Sequence, residues 1–119
     1  MPGHMNILLD EADVPHDIIF DLESINEQFR TCDLVLVVGA NDIVNPAAHT
    51  DTDSPILGMP ILNADKARRV FVIKRGQGSG FSGIENKLFS ADNTHMFYGD
   101  AGDVLQNLVT EINAHQVSP

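Results

Sequence analysis

The hydrophobic pattern changes period several times along the chain. Met1, Met5, Leu8, Leu9 and Ala12 fall at helical spacing after Pro2-Gly3, which predicts an amphipathic helix over residues 3–13. Val14-Pro15-His16 ends it. Residues 17–22 (DIIFDL) read as a short strand, and Ser24 to Arg30 as a helix with Ser24 as N-cap and Glu27 in the capping-box position. Leu34–Val38 (LVLVV) shows no polar alternation, the mark of a strand covered on both faces. Residues 39–65 are irregular, with Pro46, Pro55 and Pro60. A second buried strand, residues 70–73 (VFVI), runs into Lys74-Arg75 and a glycine-rich loop over residues 76–83. A helical stretch over residues 84–89 and a third strand over residues 95–98 (HMFY) follow. The last helix opens at Gly99-Asp100 with Asp100 as N-cap, and carries Val104, Leu105, Leu108, Val109 and Ile112 on one face.

Strands alternating with helices imply an α/β fold: a parallel sheet with helices on its faces. Ligands of such sheets bind outside the carboxyl ends of the strands. That directs attention to residues 39–46, 74–83 and 99–101.

With 119 residues the chain is read as one domain, residues 1–119. No apolar run approaches the roughly 20 residues needed to cross a bilayer. Nothing at the N-terminus reads as a signal peptide. Cys32 stands alone, so no disulfide holds the fold and a reducing compartment is expected. The formal net charge of -10 argues against nucleic acid or an anionic membrane as the main partner. The few cations are concentrated at Lys66, Arg68, Arg69, Lys74 and Arg75, as a solvated surface or as a reserve for an anionic ligand.

Lys74-Arg75-Gly76-Gln77-Gly78-Ser79-Gly80-Phe81 is the most informative segment. With Gly83 it places four glycines in eight residues, which lets backbone N–H groups approach phosphate oxygens. The glycines alone would equally suit a solvated turn. The two cations add a specific chemistry: Arg grips a ribose 2′-phosphate with a bidentate fork and Lys adds a point charge. No acidic residue here would accept a free 2′-hydroxyl, so the pattern favours NADP(H) over NAD(H). After the first strand of the parallel set, Gly39 and Ala40 clear space while Asn41, Asp42 and Asn45 supply hydrogen-bonding groups; a turn and helix cap is the plainer reading. Asp100 reads as a helix cap that can also face an adenine ring. His4, His16, His49, His95 and His115 show no metal spacing, and no metal site is expected. No nucleophile elbow or Ser/His/Asp arrangement is evident.

Four segments together resemble a known family: PGHMNILL (residues 2–9), VGANDIVNPAA (38–48), SPILGMPIL (54–62) and KRGQGSGFSGIENKLF (74–89). They are similar to the NADP(H)-binding component, the C-terminal domain of the β subunit, of proton-translocating nicotinamide nucleotide transhydrogenase. The resemblance implies a Rossmann-like, doubly wound parallel sheet in three α/β/α layers, with strand order 3-2-1-4-5-6. It further implies hydride transfer between NAD(H) on a separate component and NADP(H) held here, coupled to proton movement through a membrane-spanning domain. The domain would then lie on the cytoplasmic face of a bacterial inner membrane, or on the matrix side in a mitochondrion. By the same resemblance Lys74 and Arg75 hold the 2′-phosphate, and Gly76, Gln77, Gly78, Ser79, Gly80 and Phe81 form a lid. Gly39, Ala40, Asn41, Asp42 and Ile43 line the pyrophosphate and nicotinamide side, Gly58 and Met59 lie against the cofactor, and Asp100 and Ala101 meet the adenosine end. Asp42 is the residue implied to couple protonation to nucleotide affinity.

Two departures stand out. Gly76 and Phe81 occupy places where the family usually has Ser and Tyr, so a hydroxyl is lost at each. The family's first strand, its Gly-rich pyrophosphate turn and its second strand are expected ahead of Met1, which makes this sheet one that lacks its first two strands. Residues 17–22 would then be strand 3, separated from strand 4 (Leu34–Val38) by a gap of roughly 14 Å. Either strand 3 moves in to pair with strand 4, or another chain covers that edge in a homo-oligomer. A stand-alone nucleotide-binding or regulatory module, and a flavin- or thiamine-enzyme domain of similar fold, are the alternative readings. Lys74-Arg75 speaks against the last.

Overall fold

The structure is a computed structural model that describes residues 3–50, 52–76 and 85–115. Its centre is a parallel sheet of β1 (Leu34–Val38), β2 (Arg69–Lys74) and β3 (Thr94–Tyr98), in the spatial order β1-β2-β3. Leu34 lies opposite Arg69 and Val38 opposite Ile73, while Val70 pairs with Thr94 and Lys74 with Tyr98. Parallel strands need crossover connections, and the segments between them supply short helices and turns. This is the parallel α/β arrangement the pattern predicts, and its three strands stand in the Rossmann-like order the resemblance implies for strands 4, 5 and 6.

One face of the sheet carries the main core. Val37, Val70 and Val72 alternate along β1 and β2 and pack with Val44, Ala64, Ala67 and Leu88. Val70, Val72 and Leu88 retain no exposed surface. Burying each such side chain contributes roughly 1.5–3 kcal/mol, so this layer supplies most of the force that closes the domain. Ile73, of opposite parity along β2, is also buried, and helix α4 (Ala101–His115) contacts the same strand. Asp100 caps α4 as expected: its Oδ2 accepts the Asp103 N–H at 3.2 Å.

The N-terminal third departs from the sequence reading. Helix α1 (Gly3–Glu11) forms and closes on Asp13 at φ 58, with the Val14 N–H bonded to the Leu9 carbonyl and the Asp13 N–H to that of Asp10. The strand expected over residues 17–22 does not. His16–Ile18 is a 3₁₀ turn and Leu22 opens the short helix α2 (Leu22–Ile25). The cap of α2 is Asp21, not Ser24: Asp21 Oδ1 accepts the Ser24 N–H at 2.9 Å. Asp and Ser are comparable caps, and the one that starts the helix earlier wins here. Hydrogen bonds from Ser24, side chain first and backbone second, hold the Asp21 carboxyl below its ordinary pKa. Residues Asn26–Thr31 continue as a 3₁₀ turn that buries Phe29.

Strand β1 is also different from expectation. Leu34, Leu36 and Val38 are exposed while Val37 is buried, so the strand is covered on one face instead of two. The apolar run reports side chains suited to burial on both faces, but the core lies against only one of them. Since residues 17–22 form no strand, they do not pair with β1, and among the described residues its outer edge has no strand beside it.

The long stretch after β1 contains a 3₁₀ turn at Asp42–Val44 and the short helix α3 (Ala47–Thr50). Ala47, Ala48, Ile56 and Ile61 form a second small core there, against which Met59 packs. Of the helix expected over residues 84–89, Ile84 lies outside the described residues. Lys87–Ser90 is a 3₁₀ turn capped by Asn86. Among the described residues no helix is long and apolar enough to cross a membrane.

Candidate functional site

The three parallel strands end at one edge of the sheet, and the chain leaves them there at Gly39, Arg75 and Gly99. A cleft of about 460 Å³ opens at that edge, within the size range of small-molecule sites. It brings together Gly39, Ala40, Asn41, Lys74, Arg75, Gly76 and Ala101, all singled out in the sequence. Gly39 turns the chain at φ 69, a conformation that costs an L side chain and not a glycine. At Gly99, where φ is 152, a Cβ would stand 3.2 Å from Val104 Cγ2, so a larger residue there would strain the backbone and require the Val104 side chain to give by a few tenths of an ångström.

The two cations part company at the end of β2, as neighbouring strand residues do. Lys74 Nζ lies 4.4 Å from the centre of the Phe89 ring, a cation–π contact. Arg75 turns toward α4, and its Nη2 sits 3.3 Å from Asp100 Oδ1. The Arg75 side chain is 86% exposed, so its remaining donors face solvent at the cleft. Lys66, Arg68 and Arg69 lie elsewhere. Lys66 pairs with Asp65 at 3.7 Å, and Arg69 begins the strand that Lys74 ends. Their closeness to Lys74 in sequence is undone by the length of β2.

A set of asparagines fixes the cleft's frame. Asn86 Nδ2 donates to the Asn41 carbonyl at 2.8 Å and lies 3.2 Å from Asn41 Oδ1. Asn45, fully buried, donates to the Glu85 carbonyl at 3.1 Å and accepts the Ala47 N–H at 3.0 Å. Buried amides that are satisfied in this way rigidify the backbone they join. They bind the segment after β1 to residues 85–86. The sequence reading named Asn45 but passed over Asn86, whose position just ahead of Lys87-Leu88-Phe89 was a cap signal. Gly99, the first of the segment 99–101 to which the topology directed attention, also lines the cleft, as do Val38 and Ile73, to which the sequence assigned no site role.

Other expected site residues stand apart from the cleft's lining. Asp42 is half-buried and Ile43 exposed on the 3₁₀ turn that follows β1. Gly58 is tied to α3 by its N–H, bonded to the Ala48 carbonyl at 2.9 Å, beside Met59 in the second core. Asp100 reaches the cleft through Arg75. Gln77, Gly78, Ser79, Gly80 and Phe81 lie outside the described residues.

Geometry therefore defines a class: an α/β domain with a cleft at the carboxyl edge of a parallel sheet, lined by glycine backbone and by Lys74 and Arg75. Comparison with known proteins gives the family. The family model described as "NAD(P) transhydrogenase beta subunit" matches residues 1–111, and the chain belongs to that family. It is 54% identical over 113 residues to NAD(P) transhydrogenase subunit beta of Rhodospirillum rubrum, an alignment covering 95% of this chain and 24% of that protein. The same protein from a designated strain of that species matches to the same extent. The chain thus spans about a quarter of the length of these curated relatives.

Proposed function

We propose that the chain binds NADP(H) in the cleft at the strand ends and presents it for hydride exchange with NAD(H) held by a separate transhydrogenase component. The observation that carries this reading is the placement of Lys74 and Arg75 at the end of β2, on the lining of that cleft. The donor set suits the ligand. A guanidinium fork and an ammonium match the 2′-phosphate, and Gly39, Gly76 and Gly99 leave backbone open to a close approach. The bound nucleotide supplies the hydride chemistry. The chain's own residues bind and orient it: Lys74 and Arg75 at the 2′-phosphate, Gly39, Ala40, Asn41 and Ile43 on the pyrophosphate and nicotinamide side. Gly58, Met59 and Ala101 complete the set we assign to the cofactor, with Asp100 beside it as the carboxylate that meets Arg75, and residues 76–81 its cover. In the complete enzyme this domain works beside a membrane-spanning domain that moves protons, on the cytoplasmic face of a bacterial membrane or its mitochondrial equivalent.

Titration calorimetry with NADP⁺ and NAD⁺ tests the reading. Each charge-assisted contact is worth roughly 1.5–3 kcal/mol, so Lys74→Ala/Arg75→Ala should weaken NADP⁺ by about two to four orders of magnitude. NAD⁺ affinity should hardly move. Equal losses for both nucleotides would show that the pair serves another purpose. Asp42 is assigned the coupling of protonation to affinity. NADP⁺ affinity should then vary with pH in the native protein and lose that variation in Asp42→Asn; a profile that survives the substitution removes Asp42 from the role.

A further inference from the structure

Arg75, the residue best suited to a 2′-phosphate, already has an anionic neighbour. Asp100 Oδ1 stands 3.3 Å from its Nη2. The carboxylate is not a loose rotor, because its other oxygen, Oδ2, accepts the Asp103 N–H in the first turn of α4 at 3.2 Å. Ala101, next in the chain, lines the cleft with Arg75. We propose that Asp100 is an internal competitor for the 2′-phosphate: it holds Arg75 while the cleft has no phosphate, and must yield it when one binds. This rests on the NADP(H) reading above and adds a residue that tunes it.

The physical argument is one of exchange. A phosphate dianion carries more charge and more acceptor oxygens than a carboxylate, and takes the guanidinium fork from it. A ribose hydroxyl is neutral and cannot. A ligand with a 2′-phosphate therefore breaks the Arg75–Asp100 contact and settles beside the carboxylate charge, whereas a ligand without one leaves the pair intact. Exposed ion pairs are individually weak, so the carboxylate tempers affinity without abolishing it. It also gives Arg75 a place to return to as the nucleotide leaves, which shortens residence in a protein that must release its nucleotide every cycle.

Calorimetry on the full chain with adenosine 2′,5′-bisphosphate and with 5′-AMP, at low ionic strength, decides the matter. Asn and Ser both retain the N-cap, so Asp100→Asn and Asp100→Ser keep α4. Both should tighten the bisphosphate by about three- to tenfold and leave 5′-AMP within about twofold. In an Arg75→Ala background the tightening should vanish. Unchanged bisphosphate affinity in both variants overturns the proposal. So does tightening that persists without Arg75, which would be a general field effect. Weakened binding of both probes would make Asp100 a contact of the adenosine end and likewise overturns it. If the native protein binds the two probes equally, the NADP(H) reading itself fails; a native preference for the bisphosphate with indifferent Asp100 variants sinks only the competitor.

Discussion

Two regions of this chain that carry apolar patterns meet opposite fates. In the N-terminal segment, Ile7 is 60% and Ile18 60% exposed, with Leu8 and Phe20 about half so. In the core, Val70 and Val72 of the sheet and Leu88 packed with them are at 0%. Both regions show the periodicity that signals burial. The sheet's strands are each other's partners: β2 bonds to β1 and β3, and its alternate residues meet Leu88 and Val44 from the connecting segments. Helix α1 has an apolar stripe and no comparable layer against it among the described residues. A hydrophobic pattern states a preference; burial requires a second surface shaped to receive it.

Substitutions can break that contrast. Leu88→Ala removes a side chain from the centre of the core and should cost about 2–5 kcal/mol in urea unfolding. A cost below about 1 kcal/mol would mean that this core is looser than its burial implies. Asn45→Ala comes next. It leaves the buried Ala47 N–H without its partner, breaks the part-buried bond to the Glu85 carbonyl, and should cost about 1–3 kcal/mol in the same measurement, although no apolar surface is involved. The smallest effect belongs to Ile7→Ala on α1, expected within about 0.5 kcal/mol of the native protein. A loss of about 2 kcal/mol there would show that α1 is buried against another surface in solution, and the two regions would no longer differ in kind.

Much of the cleft was legible in the sequence for local reasons. Strand patterns at β1, β2 and β3 placed Gly39, Arg75 and Gly99 at strand ends, and parallel topology puts all three ends on one side. Asp100 was readable as a cap because the capping bond spans only three residues. Residues 17–22 were misread because a β-like run is stabilised only by a neighbouring strand. With none beside it, the local bond from Ser24 to Asp21 takes the chain into a helical turn. The bonds from Asn86 to Asn41 and from Asn45 to Glu85 join residues at least 40 positions apart, which no periodicity records.

The sequence by itself determined the class of fold, the polarity of the strands and the chemistry available at their ends, because period, caps and charge are properties of neighbours along the chain. Tertiary structure alone decided that Lys74 turns to Phe89 while Arg75 turns to Asp100, that Lys66, Arg68 and Arg69 are left at the far end of β2, and that β1 keeps one face bare. Each of these depends on what lies across a gap in space, and chain order carries no record of that distance.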